Sequence, residues 1–340
     1  MSYWRDSPAG PDDRPEQLEP PDVKNTLKSR LVAGTALASL LALSACGSDT
    51  SANAEAADSS EPTMVTVEHT QGTTKVPVNP ETVYTFDLGA LDTLDALGIE
   101  VDGVPAANFP ESLSKYGSDD YEKIGSMKEP DFEAISAGAP DLIIMSGRTA
   151  DSYEEFSKIA PTINLSTDAA DPWNSFVSNT EIIGDIFGKE AEVEEKLAAL
   201  DTKVEDTKAT AADAGNGLVI MTSGGEMTAY GEGSRFGLIH DVLGVATAAD
   251  IKSEAQHGES VSFEYVAEIN PDNLFVIDRD VAVGNAGEVA SAVLDNELVM
   301  GTKAAKNDRI TMLDSSSWYL VGYGLNNVDA MVSAVQDGIS

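Results

Sequence analysis

One cysteine, three histidines and, beyond residue 45, four arginines are all that this chain of 340 residues holds of those side chains. A single thiol, Cys46, cannot close an intramolecular disulfide. With His69, His240 and His257 scattered along the chain, a Cys/His zinc cluster is excluded. Positive charge is scarce too: 21 Lys and Arg against 58 Asp and Glu leave a formal charge of -37. That balance argues against nucleic acid and against direct adhesion to anionic lipid headgroups. It serves solubility, and it sets off Arg148, Arg235, Arg279 and Arg309, three of which fall in motifs that end strands or open helices.

Residues 1–22 are rich in Pro, Asp and Glu and read as a disordered leader. An acidic leader is unusual before a signal peptide, and initiation at Val23 would place the basic residues first. Lys24, Lys28 and Arg30 form that basic region, and residues 31–43 an apolar run of 13, too short to span a bilayer as a helix. The run ends Leu43-Ser44-Ala45-Cys46-Gly47, which looks like a lipobox, so residues 23–45 are expected to be a lipoprotein signal peptide and Cys46 the lipid-bearing first residue. Acyl chains contribute about 0.8 kcal/mol per buried CH₂, so two or more anchor stably. Residues 46–62 read as a polar tether.

The centre of the chain repeats. Asp131-Phe132-Glu133-Ala134-Ile135, Pro140-Asp141-Leu142-Ile143-Ile144 and Gly147-Arg148 reappear as Ser262-Phe263-Glu264-Tyr265-Val266, Pro271-Asp272-Asn273-Leu274-Phe275 and Asp278-Arg279. Five identical pairs share one offset, from Phe132/Phe263 to Arg148/Arg279. Each copy predicts a short helix, N-capped by Asp131 or Ser262 with a glutamate in its first turn, then a strand buried on both faces. The Arg falls just past the strand, where open α/β sheets place ligands.

Around the copies, residues 64–78 predict a β-hairpin turning at Gln71-Gly72, residues 83–87 a strand and residues 88–98 a helix stopping at Gly98. Residues 173–214 are helical apart from Gly188, and Val193, Leu197, Leu200 and Val204 line one face of a long connector. Residues 218–222 and 309–314 predict strands, Ser234 an N-cap with Arg235 opening a helix, residues 315–319 a loop, and a last helix starts near Asn326. The resulting fold class is α/β: similar lobes at 63–184 and 215–340, linked by one long helix within 185–214, with the ligand cleft between them.

Gly231-x-Gly233-x-x-x-Gly237 has the wrong spacing for a dinucleotide fingerprint and no Lys-Ser/Thr for a phosphate loop. No serine sits in a Gly-x-Ser-x-Gly elbow, and no enzyme is expected. His69 and His240 read as structural.

Ser146-Gly147-Arg148, Ala229-Tyr230-Gly231-Glu232-Gly233-Ser234-Arg235-Phe236-Gly237, His257-Gly258-Glu259-Ser260-Val261-Ser262-Phe263-Glu264, Val276-Ile277-Asp278-Arg279-Asp280 and Trp318-Tyr319-Leu320 carry a resemblance. They resemble the iron–siderophore substrate-binding lipoproteins of ABC importers, in the branch that takes catecholate and mixed catecholate complexes. The resemblance implies a periplasmic-binding-protein-like fold of class III, a ferric siderophore as transported ligand and no permanent cofactor. It implies that Arg148, Arg235 and Arg279 face the siderophore, and that His257 and Tyr319 complete the coordination of its Fe(III). Trp318 and Tyr319 compete for the matching position, and Trp318 is a further candidate ligand contact. Glu133 and Glu264 would dock on a permease dimer, one per lobe, from a monomer anchored to the extracytoplasmic face of the cell membrane. Haem, ferric citrate and a corrinoid are the alternative ligands for the same fold. Free Mn or Zn is disfavoured, because such sites gather several His and carboxylates.

Overall fold

The computed structural model describes residues 62–252, 258–285 and 290–340. The leader, the signal-peptide segment, Cys46, the tether up to residue 61 and His257 lie outside the described residues. No helix among the described residues is long and apolar enough to cross a membrane.

A hairpin comes first: β1 (Met64–His69) pairs antiparallel with β2 (Gly72–Pro77), His69 opposite Gly72. His69 is structural, its Nε2 2.9 Å from Thr74 Oγ1 and its ring against Tyr153. The first sheet contains β3 (Val83–Thr85), β4 (Gly103–Ala106), β5 (Glu122–Ser126), β6 (Leu142–Met145) and β7 (Thr162–Asn164). Its order is β5-β4-β3-β6-β7, with every neighbouring pair parallel. Leu142, Ile143, Ile144 and Met145 are fully buried, which explains an unbroken apolar run in a sheet covered on both faces. Strand β3 is shorter than its apolar run because Asp87 turns out of the ladder. Its Oδ1 accepts from Ala90 N at 2.6 Å and caps the helix Leu88–Ala96.

After β7 come two helices, Pro172–Phe187 and Glu190–Ala211, separated at Gly188, which takes φ 61°. The second, of 22 residues, is about 33 Å long and buries Val193, Leu197, Leu200 and Val204, the stripe read from spacing. The second sheet contains β8 (Asn216–Ser223), β9 (Glu226–Tyr230), β10 (Ala246–Thr247), β11 (Glu259–Val261), β12 (Asn273–Asp278) and β13 (Ile310–Met312). Its order is β11-β9-β8-β12-β13, with β10 beside the start of β8. Strands β8, β12 and β13 run parallel, while β9 and β11 are antiparallel additions. His240 is buried, its Nδ1 donating to the Val245 carbonyl at 2.7 Å, as its structural reading required.

The repeat is a repeat in space. The helices Phe132–Gly138 and Phe263–Ile269 have seven residues each. Asp131 caps the first through Glu133 N and Ala134 N, and Ser262 the second through Tyr265 N. Both stop at left-handed residues, Ala139 and Asn270, and lead into β6 and β12. The shared Pro-Asp has a purpose that spacing alone did not disclose. Asp141 Oδ2 accepts from Thr82 N at 2.9 Å just ahead of β3, and Asp272 Oδ2 from Asn216 N at 3.2 Å at the start of β8. Each aspartate thus fixes the register of the neighbouring strand.

The last helix, Leu325–Ile339, packs on both Glu190–Ala211 and Leu88–Ala96. Its first turn is capped from the first lobe: Asp92 Oδ2 accepts from Asn326 N at 2.8 Å and Asn327 N at 2.9 Å. Gly89 and Gly324 allow this approach, since a Cβ at Gly89 would stand 2.6 Å from the Tyr323 carbonyl and one at Gly324 2.7 Å from Asp92. Burial, helped slightly by Asp95, raises the Asp92 carboxyl from 3.8 to about 6 against the pull of the two N–H donors. A carboxyl raised on folding stabilises the fold while protonated, and that contribution is lost as pH rises through about 6. Urea unfolding from pH 4 to pH 7 should therefore show a decline in the unsubstituted protein that Asp92→Asn lacks, on the order of 3 kcal/mol. Parallel curves would refute it.

Candidate functional site: an arginine cluster between two sheets

Arg148 is the second residue of the short 3₁₀ segment Gly147–Ser152, directly after β6. Arg279 opens the four-residue helix Arg279–Ala282 directly after β12, with Asp278 Oδ1 accepting from Val281 N at 3.0 Å as its cap. Both therefore stand at carboxyl ends of parallel strands. Arg235 does not open a helix as its sequence predicted. Its neighbour Ser234 is committed locally, accepting from Phe236 N through Oγ and from Gly237 N through its carbonyl, and the helical turn starts later, at Leu238–Val242. Residues 315–319 are likewise no plain loop. Ser317–Val321 is a five-residue π turn, entered through a 2.7 Å bond from Ser317 N to Asp314 Oδ1.

The three arginines meet at the middle of that turn. Arg148 Nη2 donates to the Tyr319 carbonyl at 2.7 Å and Nη1 to the Leu320 carbonyl at 3.2 Å. Arg235 Nη2 donates to the same Tyr319 carbonyl at 2.8 Å. Arg279 Nε reaches the Tyr319 hydroxyl at 3.0 Å, and its Nη1 the Ser223 hydroxyl at 3.2 Å. The Arg235 guanidinium also lies over the Tyr319 ring, 4.5 Å from its centroid, and that of Arg279 at 5.6 Å. Arg279 has Asp280 at 4.0 Å, but Asp280 is itself held by Gly224 N. Among the described residues, no carboxylate pairs with Arg148 or Arg235, in a chain with a large surplus of them.

The charges act on one another. Burial, followed by the like charge of Arg148, lowers the affinity of Arg235 for its proton. The hydrogen bond to Tyr319 raises that of Arg279. Burial works to raise the Tyr319 hydroxyl, but the Arg279 bond and the charges of all three arginines outweigh it and hold the phenol below the ordinary tyrosine range.

A cavity of about 570 Å³ opens onto this cluster, with Arg148, Arg279, Tyr319 and Leu320 on its wall and Asn108 and Lys128 on the rim of the first lobe. Asn108 Nδ2 donates to the carbonyls of Ala282 at 3.0 Å and Val281 at 3.3 Å. A smaller cavity of about 140 Å³ shares Arg148, Tyr319 and Leu320 and adds Arg235 and Trp318. Of the two aromatic candidates, Tyr319 faces the large cavity; Trp318, 3% exposed, lines only the smaller one. Glu133 and Glu264 are exposed on their equivalent helices and line neither cavity. The Glu264 carboxyl is lowered by its own backbone N–H and by the Ser262 hydroxyl. Asn108, Lys128 and Ser223 escaped the sequence reading. Asn108 and Ser223 follow or end strands, so position at a sheet's carboxyl edge could have signalled them. No group of three His, Cys, Asp or Glu that could hold a metal occurs among the described residues.

Such a site binds; it has donors in excess, fixed in a fork-like array, and suits a polyanion with planar oxygens. Two α/β lobes with a cationic cleft at their strand ends define a solute-binding protein. The chain belongs to the periplasmic binding protein family, whose profile matches residues 83–317. The petrobactin-binding protein YclQ of Bacillus subtilis is 46% identical over 309 residues, 89% of this chain and 96% of that protein. Its crystal structure aligns with a TM-score of 0.80 at 48% identity, covering 82% of this chain and 99% of that one. The ferric-anguibactin-binding protein FatB of Vibrio anguillarum is 32% identical over 285 residues, 81% of this chain and 88% of its own. The periplasmic catecholate-siderophore binding protein VctP of Vibrio cholerae aligns with a TM-score of 0.77 at 36% identity, covering 81% and 100%.

The Tyr319 phenol gives the cluster a spectroscopic handle. In a tyrosinate absorbance titration, one phenol should ionise ahead of the ordinary tyrosines; Tyr319→Phe should delete that phase and Arg279→Met should move it to higher pH. Its persistence in Tyr319→Phe would show that the phase belongs elsewhere.

Proposed function

We propose that this protein captures a ferric siderophore of the catecholate class outside the cytoplasm and delivers it to an ABC importer. The observation that carries this reading is the convergence of Arg148, Arg235 and Arg279 on one residue beside a cavity of about 570 Å³. That volume is within the range of small-molecule sites. A tris-catecholate Fe(III) complex is trianionic, and its oxygens match guanidinium forks better than ammonium groups. Relatives named for petrobactin, anguibactin and catecholate siderophores support the same class. Where the siderophore supplies only four oxygens, the Tyr319 phenol adds a fifth, a reading supported by its position on the cavity wall and by the affinity of ferric iron for phenolate. His257 is the candidate for the sixth. The protein is a carrier and not an enzyme; the iron complex is its cargo, and it needs no permanent cofactor. Trp318 serves as a wall of the smaller cavity.

The same reading covers delivery. Cys46 carries the lipid that holds a monomer to the extracytoplasmic face of the membrane, and the helix Glu190–Ala211 is the connector of the two lobes. Glu133 and Glu264, matched by the repeat, suit a permease with twofold symmetry.

Tryptophan emission, followed during titration with Fe(III)–catecholate, Fe(III)–hydroxamate, ferric citrate and haem, tests the ligand. Tight quenching by the catecholate is expected, weakened about tenfold or more by Arg148→Ala and by Arg279→Ala, as loss of charged hydrogen bonds worth about 1.5–3 kcal/mol implies. Preference for citrate or haem would replace the ligand and leave the carrier.

Docking is tested in cells by iron uptake. Glu133→Ala with Glu264→Ala should abolish uptake at unchanged ligand affinity, with the protein in the membrane fraction and Cys46→Ser releasing it. Normal uptake in the double variant, or membrane retention of Cys46→Ser, would sink the corresponding assignment.

A further inference from the structure

The turn that bears Tyr319 is gripped from behind by one side chain. Asn327 is the third residue of the helix Leu325–Ile339, 6% exposed, and lines neither cavity. Its Nδ2 donates to the Gly322 carbonyl at 2.7 Å and to the Ser317 carbonyl at 3.1 Å, with Met331 Sδ at 3.3 Å. Its Oδ1 accepts from the Ser317 hydroxyl at 2.6 Å. Ser317 and Gly322 bracket the π turn, and Gly322 N closes it on the Ser317 carbonyl at 2.8 Å. The two ends of the turn therefore face Asn327, while the carbonyls of its middle, Tyr319 and Leu320, face Arg148 and Arg235. Wide turns of this kind are rare and are frequently found at functional sites.

The grip needs an amide. Each of the two carbonyls already takes one backbone N–H, from Gly322 N and Gly324 N, and has a second lone pair for a donor, while the Ser317 hydroxyl needs an acceptor. A carboxylate would oppose both carbonyls, and an aliphatic side chain would take one donor from each carbonyl and leave the Ser317 hydroxyl without its acceptor. The backbone of Asn327 meanwhile donates to Asp92, so the grip is anchored on the first lobe.

We propose that Asn327 is a positioning residue for the anion site, holding the Ser317–Val321 turn so that one carbonyl is shared by arginines from both lobes. It acts through the turn and touches no ligand. The proposal rests on the siderophore reading only for its binding probe.

The test is a double-mutant cycle on affinity for Fe(III)–tris(catecholate). Asn327→Leu and Asn327→Asp should each weaken binding about tenfold, but Asn327→Leu should cost no more than about twofold in an Arg148→Ala background, where the shared carbonyl has already lost one donor. Equal losses in both backgrounds, or unchanged affinity with only a lower melting temperature, would overturn the proposal. Should both Asn327 variants fail to fold, Ser317→Ala removes only the hydroxyl bond; about threefold weaker binding is expected, and full affinity in that folded variant overturns the proposal. If the unsubstituted protein binds no Fe(III) complex, the siderophore reading fails on its own. Asn327 is then judged by the near-ultraviolet circular dichroism of Trp318 in Asn327→Asp: a changed signal supports the grip and an unchanged one refutes it.

Discussion

Two guanidiniums donating to one carbonyl oxygen form the contact on which the rest of the site depends. Unit charges of like sign repel by about 4 kcal/mol at 4 Å with an effective dielectric near 20, so a cluster of arginines disperses unless something holds it. Tyr319 holds it in three ways: a carbonyl for Arg148 and Arg235, a hydroxyl for Arg279 and a ring face for Arg235. None of these is a full negative charge. The cluster is thus assembled without being neutralised, and each guanidinium keeps N–H groups for a guest.

The doubled helix–strand unit supplies the frame and then departs from symmetry where the chemistry begins. Caps, left-handed stops and strand-fixing aspartates coincide in both copies. Arg148 and Arg279 leave equivalent strands, yet one grips main-chain carbonyls and the other a phenol and Ser223. Arg235 lies outside both copies. A doubled frame therefore presents an asymmetric set of donors.

Much of this was legible in the sequence because the informative contacts are local. The repeat fixed both lobes, and glycine, aspartate and the apolar stripe fixed the helix ends and the long helix. Arg148 and Arg279 could be found because the strand that carries each is adjacent in sequence. What escaped depends on distant partners. Ser234 could serve a helix or its own turn, and only the folded loop decides. The Ser317–Val321 turn is set by Asn327 and, through it, by Asp92 more than two hundred residues earlier. Which of Trp318 and Tyr319 lines the larger cavity depends on that turn, since it sends one ring into the core and the other to the cavity.

The arginine cluster sits in a chain of formal charge -37, and the two act over different ranges. Within a Debye length of about 8 Å, longer at lower salt, the surface field repels an anionic guest, while the guanidiniums act at contact. Added salt screens the outer repulsion more than the inner attraction. Capture of a trianion should accordingly speed up with ionic strength over the range in which most charged binding pairs slow down. A carrier built this way works best in salty surroundings, where its own acidity is hidden from its cargo.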